Sequence, residues 1–164
     1  MILLSMYGRE IVWSAVIVFL GIFAGWKGKK IAVIIVISFL IIMPLNPLLK
    51  NFFERLRPVI EIQEINVPKK TDFAYPSGHA SIVSSGALIL MILYRKEKEL
   101  IFSSLLTIEA ALVCLSRIYV GDHYFFDVIG GTLLGSGVSL LSISFSKYID
   151  PAINGARKYL EKSP

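Results

Sequence analysis

Two histidines, His79 and His123, are the only imidazoles in the chain, and each stands in a polar cluster set between apolar runs. His79 closes the stretch PSGH (76–79), while His123 lies within SRIYVGDHYFFD (116–127). A third cluster, KNFFERLRP (50–58), carries Lys50 and Arg57 with six residues between them. Lys50, Arg57 and Arg117 are cations, and arginine's planar fork matches phosphate oxygens well. Ser77 and Gly78 precede a predicted helix, whose first-turn N–H groups and positive dipole end favour an anion. Gly78 also lets the backbone approach that anion closely. His123 and Asp127 are spaced i, i+4. On a helix beginning near His123 they share a face, so the carboxylate accepts one imidazole N–H and leaves the other nitrogen free to attack. His79, at the lip of the anion-binding turn, is placed to protonate a leaving oxygen. These residue types predict a seat for a tetrahedral oxyanion, with a nucleophile and a general acid beside it.

The elements that must position them are membrane helices. The chain has 164 residues, 55% of them hydrophobic, and a mean hydropathy of +0.68. So small a water-soluble fold leaves too much surface exposed to hide that share of apolar side chains. One integral-membrane domain covering residues 1–164 is expected. Five apolar stretches, 11–25, 31–49, 80–94, 100–115 and 124–145, predict an all-α polytopic bundle of about five transmembrane helices. The 51–77 connection, where apolar residues alternate with charges, is expected to lie in the membrane interface. The first stretch is read as a retained helix, since a basic cluster follows it and no cleavage site is evident.

The net charge of +5 falls in short clusters between these stretches, a pattern of membrane topology and phosphate chemistry, with no nucleic-acid partner expected. Ten of the 17 Lys and Arg residues, from Lys27 to Lys30, from Arg95 to Lys98 and beyond Phe145, fall on one side. That side is expected to be cytoplasmic, which turns all three polar clusters outward. A lone cysteine, Cys114, excludes an internal disulfide, and two histidines make too thin a set for zinc. No metal or other cofactor is expected.

Lys-x6-Arg-Pro, Pro-Ser-Gly-His and Ser-Arg-x5-His-x3-Asp together resemble the three signatures of the type-2 phosphatidic acid phosphatase superfamily, which is related to the vanadium haloperoxidases. The match takes in Lys50, Arg57, Pro58, Pro76–His79, Ser116, Arg117, His123 and Asp127. The resemblance implies a metal-independent phosphatase with a helical core. In it His123 forms a phosphohistidine, Asp127 orients His123, and His79 protonates the leaving oxygen and then activates water. Lys50, Arg57, Ser77, Gly78 and Arg117 hold the phosphoryl oxygens. Membrane members of the family have six spans, one more than is visible here.

A membrane position implies a lipid phosphate substrate, with lipid A 1-phosphate and undecaprenyl diphosphate favoured. The expected setting is the inner (cytoplasmic) membrane, with the site facing the periplasm or outside and no obligate protein partner. The rival readings are a phosphotransferase that passes the phosphoryl group to an acceptor lipid, a non-catalytic transport or assembly subunit, and a haloperoxidase. Glu109, in the fourth stretch, is expected to face the interior. It is read as a neutral carboxyl bonded to a neighbouring serine or threonine, with a head-group or cavity contact as the alternative. Lys69 and Lys70 are candidates for contact with a second phosphate.

Overall fold

A computed structural model describes residues 8–58, 72–148, 150, 151, 155 and 158. Among these residues five α-helices follow one another: α1 (Trp13–Phe23), α2 (Gly25–Phe53), α3 (Gly78–Leu93), α4 (Glu97–Tyr119) and α5 (Phe125–Phe145). A π-helical turn, Gly8–Val12, leads into α1, and a 3-10 turn, Ser146–Tyr148, follows α5. No strand occurs among the described residues. The interfacial segment expected within 51–77 falls mostly on residues outside those described.

Among the described residues, three helices are long and apolar enough to cross a membrane: Gly25–Phe53, Glu97–Tyr119 and Phe125–Tyr148. The first stretch, 11–25, divides between the π-turn and α1. It ends where Gly25 adopts a left-handed φ of 61°. From there the chain folds back, bringing Trp13 edge-on to Phe39 at 6.1 Å. α2 runs past its expected end at residue 49 and through Pro44 and Pro47 to Phe53. The two prolines free the carbonyls of Leu40 and Met43, a loss that membrane helices tolerate. α3 has 16 residues. At 1.5 Å per residue it rises about 24 Å, short of the ~30 Å hydrocarbon layer.

α3 is the hub, lying against α2, α4 and α5. Its approach to α5 is possible only because α5 carries glycines there. A Cβ on Gly131 would stand 2.3 Å from the Ser77 carbonyl oxygen, and one on Gly135 would stand 2.1 Å from that of Ser81. Ser139 Oγ then bonds Ser85 Oγ across the same seam at 2.9 Å.

The interior mixes a hydrophobic core, which includes Trp13, Leu20, Ile35 and Leu90, with small hydroxyl side chains. Ser38, Ser81, Ser85, Ser103, Ser116 and Ser139 are fully buried, whereas Ile22, Phe23, Met43, Leu105 and Leu133 lie bare on the outside. Small hydroxyl residues inside and large apolar residues outside are what a bilayer selects. At the end of the bundle remote from the three motifs, Lys27 pairs with Glu99 and Lys30 with Asp150, each at 2.5 Å.

Candidate active site

Backbone contacts bring the three motifs together at one end of the bundle. Ala74 N–H donates to the Arg55 carbonyl at 2.7 Å, and Ser77 N–H donates to the Asp127 carbonyl at 2.9 Å. Arg57 Nη1 donates to the Asp122 carbonyl at 2.7 Å. The end of α2, the start of α3 and the α4–α5 turn thus share one polar floor. The turn itself is tight: Gly121 takes a φ of 72°, and the Arg117 carbonyl accepts from both Asp122 and His123 amides.

The cations line this floor. Lys50 is buried in the last turn of α2, and its ammonium pairs with Asp72. Arg57 grips the same residue twice, Nη2 to Oδ1 at 2.7 Å and Nε to the carbonyl at 3.0 Å. Arg117 is 2% exposed and pairs with Asp122. Burial pushes the Asp72 carboxyl up, but hydrogen bonds and charge from Lys50 and Arg57 outweigh it and hold it down at about 2. Asp72 was not among the residues singled out from the sequence, and it occupies the cations that a phosphate would need.

His123 is 3% exposed. Its Nε2 stands 3.3 Å from Arg57 Nη1. A guanidinium can only donate, so in the neutral ring this contact puts the lone pair on Nε2 and the proton on Nδ1. Nδ1 faces Asp127 Oδ2 at 3.8 Å, beyond hydrogen-bond length. The expected helix starting near His123 begins instead at Phe125, leaving His123 in the preceding turn. Asp127 has other partners in its place: Oδ2 accepts the Tyr124 amide at 2.8 Å, and Oδ1 accepts Arg55 Nη1 at 2.9 Å. Burial above all lowers the His123 pKa below its ordinary 6.5. Asp127 opposes that shift, while Arg57, Arg117 and Lys50 add to it.

His79 and Gly78 form the first turn of α3 and are half-buried. The Ser77 amide, expected to face an anion, is engaged by Asp127, so the donors an anion would meet begin at Gly78. The buried Ser77 hydroxyl has no hydrogen-bond partner among the described residues. Asn46 on α2 supports this turn. Its amide reaches the Pro76 carbonyl and Ser81 Oγ at 3.4 Å each, and a Cβ on Gly78 would stand 3.1 Å from its Oδ1.

Glu109 lies apart from this end. Both its oxygens are buried, and neither makes a hydrogen bond among the described residues. The serine or threonine partner expected from the sequence is absent there; the polar neighbour is the Trp13 indole, whose N–H is itself buried without a hydrogen bond among the described residues. Trp13 is held in place because Gly86 is bare: a Cβ there would lie 1.9 Å from the ring. Lys69 and Lys70 fall outside the described residues.

Arg55, Asp72, Asp122 and Asn46 are the site-end residues that motif spacing does not reveal. Arg55 alone had a signal, as a third cation within KNFFERLRP.

Residues 27–150 match the PAP2 superfamily. The chain belongs to that superfamily. It is 45% identical over 145 residues to the undecaprenyl-diphosphatase of Sulfolobus acidocaldarius, an alignment covering 87% of this chain and 68% of that one. It is 32% identical over 113 residues to phosphatidylglycerophosphatase B of Bacillus subtilis, covering 64% of this chain and about half, 53%, of that one. The fold superposes on the Bacillus subtilis transmembrane PAP2-type phosphatidylglycerolphosphate phosphatase with a TM-score of 0.68, at 25% identity, covering 89% of this chain and 74% of that one. Aquifex aeolicus LpxE gives 0.62 at 26% identity, covering 86% and 81%. The chain is a multi-pass membrane protein and a lipid phosphatase of the PAP2 superfamily.

Proposed function

We propose that this PAP2 protein removes the terminal phosphate of a polyprenyl diphosphate lipid at the outer face of the cytoplasmic membrane, by way of a phosphohistidine on His123. The observation that carries the reading is the placement of His123 Nε2 against Arg57, within the cations Lys50, Arg57 and Arg117. A buried imidazole kept neutral, with its lone pair turned into a ring of cations, is a nucleophile aimed at an anionic phosphorus. The relationship to an undecaprenyl-diphosphatase supports the diphosphate class.

In the first step Nε2 attacks the terminal phosphorus and the bridging P–O bond breaks. The electron pair leaves with the lipid monophosphate, and His79 supplies the proton. Lys50, Arg57, Arg117, the Ser77 hydroxyl and the α3 amides from Gly78 onward stabilise the charge on the equatorial oxygens. In the second step His79 takes a proton from water, the water oxygen attacks the phosphohistidine, and the P–N bond breaks. Orthophosphate leaves and His123 regains its lone pair. Asp127, held by Arg55 and the Tyr124 amide, places its charge 3.8 Å from the Nδ1 side of the imidazole and stabilises the positive charge that develops there on attack. The outward orientation is supported by the basic cluster at the opposite end, Lys27, Lys29, Lys30 and Lys147.

Purified protein in bilayer nanodiscs, given undecaprenyl diphosphate, lipid A and phosphatidylglycerol phosphate with EDTA present, tests this reading. Phosphate release that is fastest on the polyprenyl diphosphate and is lost in His123→Ala supports it. Release only from the other lipids, or full activity of His123→Ala, refutes it.

A further inference from the structure

α4 and α5 each lie along α3 but scarcely touch one another. The gap between them is a groove of about 500 Å³ whose walls include Met91, Ala111, Cys114, Ile118, Phe125 and Val128. This volume is in the range of sites that hold a small organic ligand. Its hydroxyl-bearing residues are largely spoken for: Ser84 Oγ donates to the Ser81 carbonyl at 3.3 Å, and Thr107 Oγ1 donates to that of Ser103 at 2.8 Å. What faces the groove is hydrocarbon.

The upper rim of the groove is formed by neighbours in sequence of the polar-end residues. Ile118 follows Arg117, Phe125 lies two residues beyond His123, and Val128 follows Asp127. From Ile118 down to Thr107 the groove follows α4 for about 16 Å, at 1.5 Å per residue. Cations therefore stand at one end of a long apolar trough that opens sideways from the bundle. That is the complement of an amphiphile with an anionic head and a hydrocarbon tail.

We infer that this groove binds the hydrocarbon chain of the substrate, seating the first isoprenoid units below the diphosphate. The inference rests on the lipid-diphosphate reading above and adds to it a subsite that selects for chain length. Each methylene buried there is worth about fourfold in affinity. Ala111, exposed at the groove edge, can be enlarged without disturbing the core. Cys114, the only cysteine, reports on occupancy through its rate of alkylation.

Two measurements in nanodiscs test it. The first compares kcat/KM for farnesyl diphosphate with that for isopentenyl diphosphate, in the unsubstituted protein and in Ala111→Phe. The expected result is a long-to-short ratio lowered by at least about tenfold, the loss of two or so buried methylenes. The second follows maleimide alkylation of Cys114 in His123→Ala protein, which requires binding but no turnover. Farnesyl diphosphate should slow it, and isopentenyl diphosphate should not. Unchanged ratios, equal protection by both compounds, or a change in oligomeric state on Ala111→Phe would overturn the inference, assigning the groove to bulk lipid or to a second copy. Hydrolysis without chain-dependent protection removes the groove alone, whereas protection without hydrolysis removes the lipid-diphosphate reading alone.

Discussion

Arg55 and Asp127 form an ion pair at 2.9 Å, with the carboxylate sealed from solvent and the guanidinium 4.6 Å above the Tyr124 ring. The pair links the loop after α2 to the first turn of α5, beside the face of His123 that carries Nδ1. Arg55 is therefore a positioning residue acting through Asp127. Its side chain is 40% exposed, so solvent screening limits the pair to about 1 kcal/mol, and Arg55→Ala is expected to lower kcat by about fivefold. Removing this cation leaves the Asp127 charge less compensated and favours protonated His123, so the acid limb of the pH profile should move up. Arg55→Lys should restore most of the rate. Steady-state kinetics across pH distinguishes this from a purely structural loss, which would leave the limb in place.

The acid limb of the unsubstituted protein has a sign of its own. In the proposed mechanism the attacking form of His123 is the neutral ring, and burial lowers its pKa below 6.5. kcat/KM should therefore hold as pH falls through 6.5 and decline only at lower values, since this ratio reports the free enzyme. Asp72, at about 2, stays ionised throughout and adds no inflection. A limb at or above 6.5 in the pH dependence of kcat/KM would contradict the buried environment assigned to His123.

Asp72 occupies Lys50 and Arg57, two of the cations proposed to bind the substrate. Its carboxylate accepts from both Lys50 and Arg57 and is 51% exposed. Asp72→Asn removes a negative charge from the cradle while keeping the shape of the side chain. Inhibition by inorganic phosphate should tighten by about two- to fivefold, the size of a partly screened ion pair. Weaker phosphate inhibition would instead make Asp72 an organiser of the cations.

The approach of α3 to α5 leaves no room for a side chain. A Cβ at position 135 would lie 2.1 Å from a backbone oxygen, which cannot move aside as a side chain can. Gly135→Ala should destabilise by about 1–3 kcal/mol, whereas Gly137→Ala, which meets nothing within 4 Å, should be close to neutral. Thermal unfolding in detergent compares the two.

The contrast between legible and hidden features follows from how each is encoded. Lys50, Arg57, Ser77, Gly78, Arg117, His123 and Asp127, which the structure gathers at one end of the bundle, stand out as candidates because their types and short-range spacing suit phosphate chemistry within one turn or helix end. The helical bundle is legible because apolar runs of span length have few other uses. Asp72 is hidden because its meaning depends on meeting Lys50, 22 residues earlier in the chain. Asn46 is likewise silent, since an amide in an apolar helix shows no partner until α3 is laid against it. The His123–Asp127 spacing misleads for a physical reason: Asp127 caps α5 through the Tyr124 amide, which places His123 before the helix. Glu109 faces inward as its charge demands, but its neighbour is Trp13, from a helix whose reversal at Gly25 the apolar pattern does not show.

The covalent intermediate is the most direct test. Protein quenched during turnover of a polyprenyl diphosphate labelled in its terminal phosphate should carry an acid-labile, base-stable phosphoryl group. Peptide mass spectrometry should place it on His123, with higher occupancy in His79→Ala, where water is no longer activated. Sustained turnover with no phosphoryl-enzyme, or label on any other residue, would contradict the account.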